Sequence, residues 1–530
     1  MDFEKINSDE TLFSLDDQLS SINHGANRMD VTQIYPISGN VTNSYVGQGN
    51  AKQTIFTFTE SANWWCPESS YFNLQLQFGQ FSGTTFGAIP AAALVAYVDN
   101  FVCTLFSQIQ TLIGPQPLDT ITVPHIIDTA LSYGTSRKNF LDTWGSASRL
   151  GEPLSTRLIN TYSNGGVVDV CFRPPVSILD CKILPPGPQI QFTYTWSPSA
   201  VQAFESLKGP LIVGTADTNF NILVNSFSFY KASVNPSPYV DLPMKGVVDL
   251  YPCQLNQYPV SNTSTLKTNI SLPSTTNRVY VVFQDTNQVS GGAAAAGINP
   301  LDAPLMSGVG NGYNPATSFA NQFTILNSTG AANDGTLGSF LNQFWCDFPE
   351  IGLTAPKPIY AFDTNNTDCL RAYEDWCSIS QGITTYQGSV PFGQNKATNI
   401  GITYVKNTAE ADLLTSIVQP GNRWNPQEYY INTIGATADA PAVTVYNQTS
   451  RYGWLGRCPG PIYAFELVRP DDKKVSVGTL NATFAKIVGS TGTNSVPVNV
   501  TATVLSCYSM ALAVEKQSNG LYNYMLVQGV

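Results

Sequence analysis

The sequence has little charge. Asp, Glu, Lys and Arg make up 12% of its 530 residues, about half the roughly 25% usual for a soluble protein. A coiled coil or helical repeat needs Ala, Glu, Lys and Leu in bulk, so those classes are excluded. Lys and Arg nowhere cluster, and the formal net charge is −11. The counterion-release footprint of a nucleic-acid binder is therefore missing, and no sequence-specific nucleic-acid contact is expected. The acidity reads as a solubility feature. The best apolar stretch, residues 88–114, is interrupted by Pro90 and by Asp99-Asn100. That rejects a membrane-spanning helix and leaves other membrane contact open. Export through a signal peptide is not expected, because Met1-Asp2-Phe3-Glu4 opens acidic where a signal needs a positive start and an apolar run.

Motifs that carry chemistry are scarce too. Histidine occurs twice. His24 lies in a polar stretch. His125 sits near Asp128 and Asp119, but no Gly-x-Ser-x-Gly elbow supplies a nucleophile for a His–Asp pair to serve. A histidine bonded locally at a helix start is the plainer reading. The ten cysteines are Cys66, Cys103, Cys171, Cys181, Cys253, Cys346, Cys369, Cys377, Cys458 and Cys507. Cys369 and Cys377 stand about 12 Å apart along an expected helix, too far for a disulfide. Cys171 and Cys181 flank a Pro-containing segment and can meet across a hairpin, but no second pair completes a zinc site. Without a secretion signal, the cysteines are expected to be reduced and mostly buried thiols.

No phosphate-cradling glycine motif stands between a strand and a helix; Gly308-Val309-Gly310-Asn311-Gly312 reads as flexibility, and Asp471-Asp472-Lys473-Lys474 as a solvated turn. Asn269 and Asn327 head Asn-x-Ser/Thr triplets, which chance supplies in such a composition. No catalytic, cofactor-binding or metal-ligating residue is assigned, no cofactor is implied, and the chain is not expected to be an enzyme.

Aromatic residues are plentiful, with 27 Phe, 25 Tyr and 8 Trp, which excludes a disordered chain. Phe72, Leu74, Leu76 and Phe78 alternate with Asn73, Gln75 and Gln77. Ile190, Phe192, Tyr194 and Trp196 alternate with Gln191, Thr193 and Thr195, and Val496, Val498, Val500, Ala502 and Val504 continue the pattern near the end. Period-two alternation places one face on a core and the other on uncharged polar surroundings. Residues 53–59, 220–230, 278–284, 442–446 and 462–468 are further strand candidates. Many strands and few helices point to β-sandwiches.

The length suits two large domains, and two helices support a repeat. One is capped by Thr122 and entered through Pro124, with Ile126, Ile127, Ala130 and Leu131 inward and Gly134 as its stop. The other is headed by Thr408, with Leu413, Leu414, Ile417 and Val418 inward and Pro420-Gly421 as its stop. Each is followed by strands, as two copies of one sandwich would be. A third helix is expected over 368–377. The organisation expected is an arm at 1–50 with a short amphipathic helix (Leu12, Leu15, Leu19, Ile22), a first unit at 51–235, a Pro-rich linker at 236–246, and a second unit at 247–530. The second unit carries a low-complexity loop at 290–314.

The segment Arg173-Pro174-Pro175-Val176-Ser177-Ile178-Leu179-Asp180-Cys181-Lys182-Ile183-Leu184-Pro185-Pro186-Gly187, followed by the alternating strand 189–196, resembles double jelly-roll major capsid proteins of virophages and polinton-like viruses. They carry a similar Leu-Pro-Pro element before a late strand of their first jelly roll. The helix at 123–133 with the aromatic stretch to Trp144, and residues 226–230 through the linker to 265–283, resemble the same family, so the likeness covers roughly 112–283. It implies an all-β chain of two consecutive eight-stranded jelly rolls with short helices in loops, forming a pseudo-hexameric homotrimer. Such capsomers tile an icosahedral shell around double-stranded DNA, with neighbouring capsomers, penton and minor capsid proteins as partners. The location implied is the virion, assembled inside the host cell. Wide subunit interfaces, depleted in charge and rich in Tyr, Phe and Trp, agree with the composition. The alternatives are a vertex (penton) capsid protein with one jelly roll and an added β domain, a non-viral β-sandwich adhesin or lectin, and a β-sandwich glycosidase whose carboxylate pair cannot be placed.

Overall fold

The computed structural model describes residues 26–39, 43–47, 53–89, 95–97, 101–124, 127, 131, 168–198, 200, 203–206, 220–236, 245–260, 265–285, 341–354, 359–360, 401–404, 429–431, 443–447, 463–467, 474–484, 487–488, 494–495 and 500–528. Eight strands build a first sandwich: β1 (Ala26–Ile34), β2 (Gln53–Phe58), β3 (Tyr71–Ser82), β4 (Phe106–Ile113), β5 (Gln116–Thr122), β6 (Val168–Phe172), β7 (Ile190–Trp196) and β8 (Phe220–Pro236). Its sheets run β1-β8-β3-β6 and β2-β7-β4-β5. After β9 (Lys245–Leu250), eight more build a second: β10 (Cys253–Val260), β11 (Thr265–Ser271), β12 (Thr276–Asp285), β13 (Leu341–Phe348), β14 (Leu353–Thr354), β15 (Tyr463–Glu466), β16 (Val477–Phe484) and β17 (Val500–Tyr508). Its sheets run β10-β17-β12-β15 and β11-β16-β13-β14.

Counted from one to eight within its own sandwich, each set reads 1-8-3-6 in one sheet and 2-7-4-5 in the other. The pairings are antiparallel. A chain that lays its first and last strands side by side and wraps between two sheets is a jelly roll. The sequence holds that wrapping twice. In the sequence, residues 122–134 follow the fifth strand of the first roll, and residues 408–421 lie between the fifth and sixth strands of the second. Residues 124, 127 and 131 are helical. The rest of both helices, the expected helix at 368–377, the amphipathic stretch of the arm and the loop at 290–314 lie outside the described residues.

The alternation dictates the strands. On β3, Phe72, Leu74, Leu76 and Phe78 are buried while Asn73, Gln75 and Gln77 are only partly covered. Strand β8 matches it: Phe229 faces Phe72 and Phe227 faces Leu74, whereas Ser228 faces Asn73 and Ser226 faces Gln75. Burying both aromatic rows drives the two sheets together, at about 25 cal/mol per Å² of apolar surface. The rings interlock, edge-on at Tyr194, Phe192 and Phe56 and tilted at Phe229. Phe72 meets Phe229 at 4.5 Å, Tyr194 at 5.1 Å, Phe192 at 5.3 Å and Phe56 at 5.5 Å between centroids. Such pairs each add about 0.5–1.5 kcal/mol beyond area burial.

Four expectations need correction. The arm does not extend to residue 50, because β1 pairs with β8 along its length and Ser44–Tyr45 pairs with β8 as well. The edge of the sheet needs a strand there, and the polar composition of 26–34 hid it. The linker is shorter than 236–246: Pro236 ends β8, and Lys245 and Gly246 already belong to β9. The strand near the C-terminus sets both faces, and not one, in a buried environment. On β17, Thr501, Thr503 and Ser506 are as buried as Ala502, Val504 and Leu505, because the strand is central and covered on both faces. Finally, residues 247–530 are not all one sandwich. Strands β18 (Met510–Lys516) and β19 (Tyr522–Gln528) form a hairpin that joins β9 in a separate three-stranded sheet.

Among the described residues no helix is long and apolar enough to cross a membrane. Truncating the ring at the centre of the first core, Phe72→Ala, is expected to cost about 3–5 kcal/mol, read as a lower midpoint in urea unfolding.

Candidate functional site

The residues singled out for chemistry do not converge. Asp119, on β5, is buried, and its Oδ2 accepts from the Ser177 amide (3.0 Å) and hydroxyl (2.9 Å). It anchors the segment that follows β6. His24, His125 and Asp128 lie outside the described residues, as do Cys369, Cys377, Cys458 and Asp471 to Lys473. Lys474 is exposed. The seven described cysteines are thiols, and all but Cys171 are buried. Cys171 accepts a contact from Asn73 Nδ2 at 3.5 Å and is not bonded to Cys181. Burial pushes the Cys66 thiol up to about 11, helped by Glu60 and Glu68, which removes it as a nucleophile near neutrality. Among the described residues no group of three or more His, Cys, Asp or Glu is placed to hold a metal ion.

Two features stand out instead, a seam between the rolls and an open edge. The seam is built on Leu184-Pro185-Pro186-Gly187. Leu184 exchanges backbone hydrogen bonds with Trp65 (2.8 and 2.7 Å), tying the segment to the first roll. The prolines have no N–H to give to a ladder, so their carbonyls remain for another partner. Pro186 accepts from the Tyr522 amide at 2.8 Å, and Pro185 accepts from the Tyr524 hydroxyl. Both tyrosines are on β19. Gly187 completes the seat: a Cβ there would lie 2.6 Å from the Tyr524 ring, so the close approach requires glycine. The Trp64 and Tyr522 rings meet at 5.7 Å beside it. Upstream, Arg173 donates to the Leu179 carbonyl and Glu68 N–H donates to Cys181 O. The whole stretch from 173 to 187 is thus a rigid bracket. Neither the hairpin nor this docking was anticipated from the sequence. Asn519-Gly520 was the available signal, since Gly520 adopts φ +84° at the turn between β18 and β19.

The edge strand is β1, whose partner strand among the described residues is β8. Val31 is 55% exposed, and just beyond the strand Tyr35 is 64% and Ile37 66% exposed. The backbone beneath them is fixed. Ile37 N–H donates to Ile55 O (2.9 Å), Ile55 N–H donates to Ser38 O (3.1 Å), and Thr54 Oγ1 donates to Gly39 O (2.9 Å). Natural edge strands are blunted by charges, prolines or cover. Here the exposed residues are Val31, Thr32, Gln33, Tyr35, Ile37 and Ser38, all uncharged. Among the described residues this held corner turns the Tyr35 and Ile37 side chains outward.

No protein-family model matches the sequence, and no curated protein does. Solved structures do. A chain of the Sputnik virophage, solved by cryo-EM, superposes with a TM-score of 0.51 at 12% identity, over 96% of this chain and 89% of its own. The fold is a double jelly roll. The mavirus major capsid protein overlaps with a TM-score of 0.45 at 10% identity, over 94% of this chain and 90% of its own. The PBCV-1 virus capsid gives 0.45 at 8%, over 94% and 97%. In this double jelly roll the bracket at 173–187 ties the first sandwich to the C-terminal hairpin.

The seam is expected to be alkali-sensitive. Burial holds the Tyr524 hydroxyl well above its ordinary value and raises Tyr522 to about 12. A hydroxyl whose folded pKa is raised contributes its full stability below the unfolded value of about 10, and loses it as pH climbs toward the folded value. Cleavage between the rolls by a protease should therefore accelerate between about pH 10 and 12. Tyr524→Phe should lose about 1 kcal/mol at neutral pH and flatten that alkaline rise, and Gly187→Ala should open the seam at every pH.

Proposed function

We propose that the protein is a major capsid protein, a structural subunit whose trimers tile an icosahedral shell around a double-stranded DNA genome. The observation that carries this reading is the jelly-roll strand order, written twice in one chain and shared with a virophage structure over nearly its whole length. Two rolls side by side give one chain two sides of a hexagonal outline, and three chains complete it. The reading places the protein in the virion, in contact with neighbouring capsomers and with penton and minor capsid proteins, as a non-enzymatic component. A vertex protein of one roll and an added β domain does not match two rolls of equal topology.

Within this reading, the β1 edge with Tyr35 and Ile37 is a contact between copies of the chain. Its apolar side chains and free backbone groups offer pairing that a monomer leaves unused. Residues 1–25, which precede β1, are the part of the arm available to neighbours or internal proteins.

Light scattering on the purified chain should give a mass of three 57.4 kDa subunits, retained on dilution. A stable monomer overturns the proposal. Placing charge on the corner, with Tyr35→Asp and Ile37→Asp together, should shift the trimer toward monomer with the thermal midpoint of the monomer fold unchanged. Removing residues 1–25 should leave the trimer intact and impair shell assembly, whereas removing 1–45 should also unravel the first sheet, since it deletes β1.

A further inference from the structure

The strand register of the second roll brings two sulfurs together that the sequence separates widely. Cys253 opens β10 and Cys507 lies near the end of β17, and the two are direct cross-strand partners. Their Sγ atoms are 3.2 Å apart. Directly opposed residues of an antiparallel pair have Cα atoms about 4.5–5.5 Å apart, inside the range of about 4.4–6.8 Å that a disulfide spans. Cys253 stands at the end of the ladder, next to the exposed Tyr251, where small backbone adjustments are least constrained. Both thiols are largely covered, at 7% and 4% exposure. Slow reaction with a small oxidant is possible there, and reaction with a second protein is not.

We propose that Cys253 and Cys507 form a latent disulfide, a redox modification site that staples the first strand of the second jelly roll to its last. The co-reactant is a low-molecular-weight disulfide. The thiolate of Cys253, the more exposed of the two, attacks one sulfur of that reagent, breaking its S–S bond and expelling one small thiolate. Cys507 then attacks Cys253 Sγ as a thiolate, forming the Sγ–Sγ bond and expelling the second. The two protein thiols lose two protons and two electrons, and the reagent leaves as two thiols. The chain stays open while it folds in a reducing compartment and is locked when it meets an oxidising one. The link would close a loop spanning residues 253 to 507, and long loops gain most from closure in the unfolded state. This inference stands apart from the assembly reading, because the register and the sulfur contact lie within one chain.

The test uses the full-length protein incubated with oxidised glutathione or with dithiothreitol. Peptide mass mapping after oxidation should recover a Cys253–Cys507 linked peptide, and denatured thiol titration should fall by two per chain. The thermal midpoint should rise by about 5 °C and return on reduction. Cys253→Ala should show neither the link nor the rise. Recovery of both residues as thiols, or as glutathione adducts alone, overturns the proposal, as does an equal rise in the Cys253→Ala protein.

Discussion

The end of the chain is fixed to the first sandwich by the docking of Tyr522 and Tyr524 onto Pro185-Pro186-Gly187. The contact combines three physical requirements. The prolines leave carbonyls with no competing ladder, the glycine leaves room for a ring, and the tyrosines bring one donor each from the same face of β19. The strand that delivers them belongs to a small sheet made from β9, just past the first roll, and from the end of the chain. The seam therefore draws on the first roll, the crossing and the C-terminus at once. A change in any of them changes the angle at which the two rolls present their outer edges.

The low charge content has its first cause inside the chain. Among the described buried polar residues, Thr and Ser predominate, and the charged ones are Glu60, Asp119 and Arg173. Each of these three has a polar partner: Glu60 pairs with Lys231 and accepts from Ser233 at 2.8 Å, Asp119 Oδ2 accepts from Ser177, and Arg173 Nη2 donates to the Leu179 carbonyl. A central strand such as β17, covered on both faces, still alternates Val and Ala with Thr, because a hydroxyl can be buried with a hydrogen bond at far lower cost than a charge. At the surface, the exposed residues of the β1 edge are uncharged as well.

Much of the fold was legible in the sequence, and particular residues show where legibility ended. Period-two alternation located β2, β3, β7 and the centre of β12, because each has one apolar face of Phe, Leu, Ile or Val. It missed β1, whose side chains are polar and whose strand character comes from pairing with β8. It gave β17 one core face where the strand has two buried ones, because alternation reports polarity and not cover. The Leu-Pro-Pro-Gly segment was visible as a family resemblance, but its task was not, since Tyr524 lies more than three hundred positions away. The same limit hid the Cys253–Cys507 pair: nothing short of strand register places the two opposite each other. As for a catalytic site, the two histidines and the scattered cysteines pointed nowhere in particular; both histidines lie outside the described residues, and the cysteines that the register brings together, Cys253 and Cys507, make a redox pair.

The account stands on the double roll acting as a tile. Electron micrographs of the purified chain test that claim most directly. The account predicts particles with threefold symmetry and a hexagonal outline, each built from six sandwiches of similar size. Single two-lobed monomers at all concentrations, or fivefold rings, would contradict it.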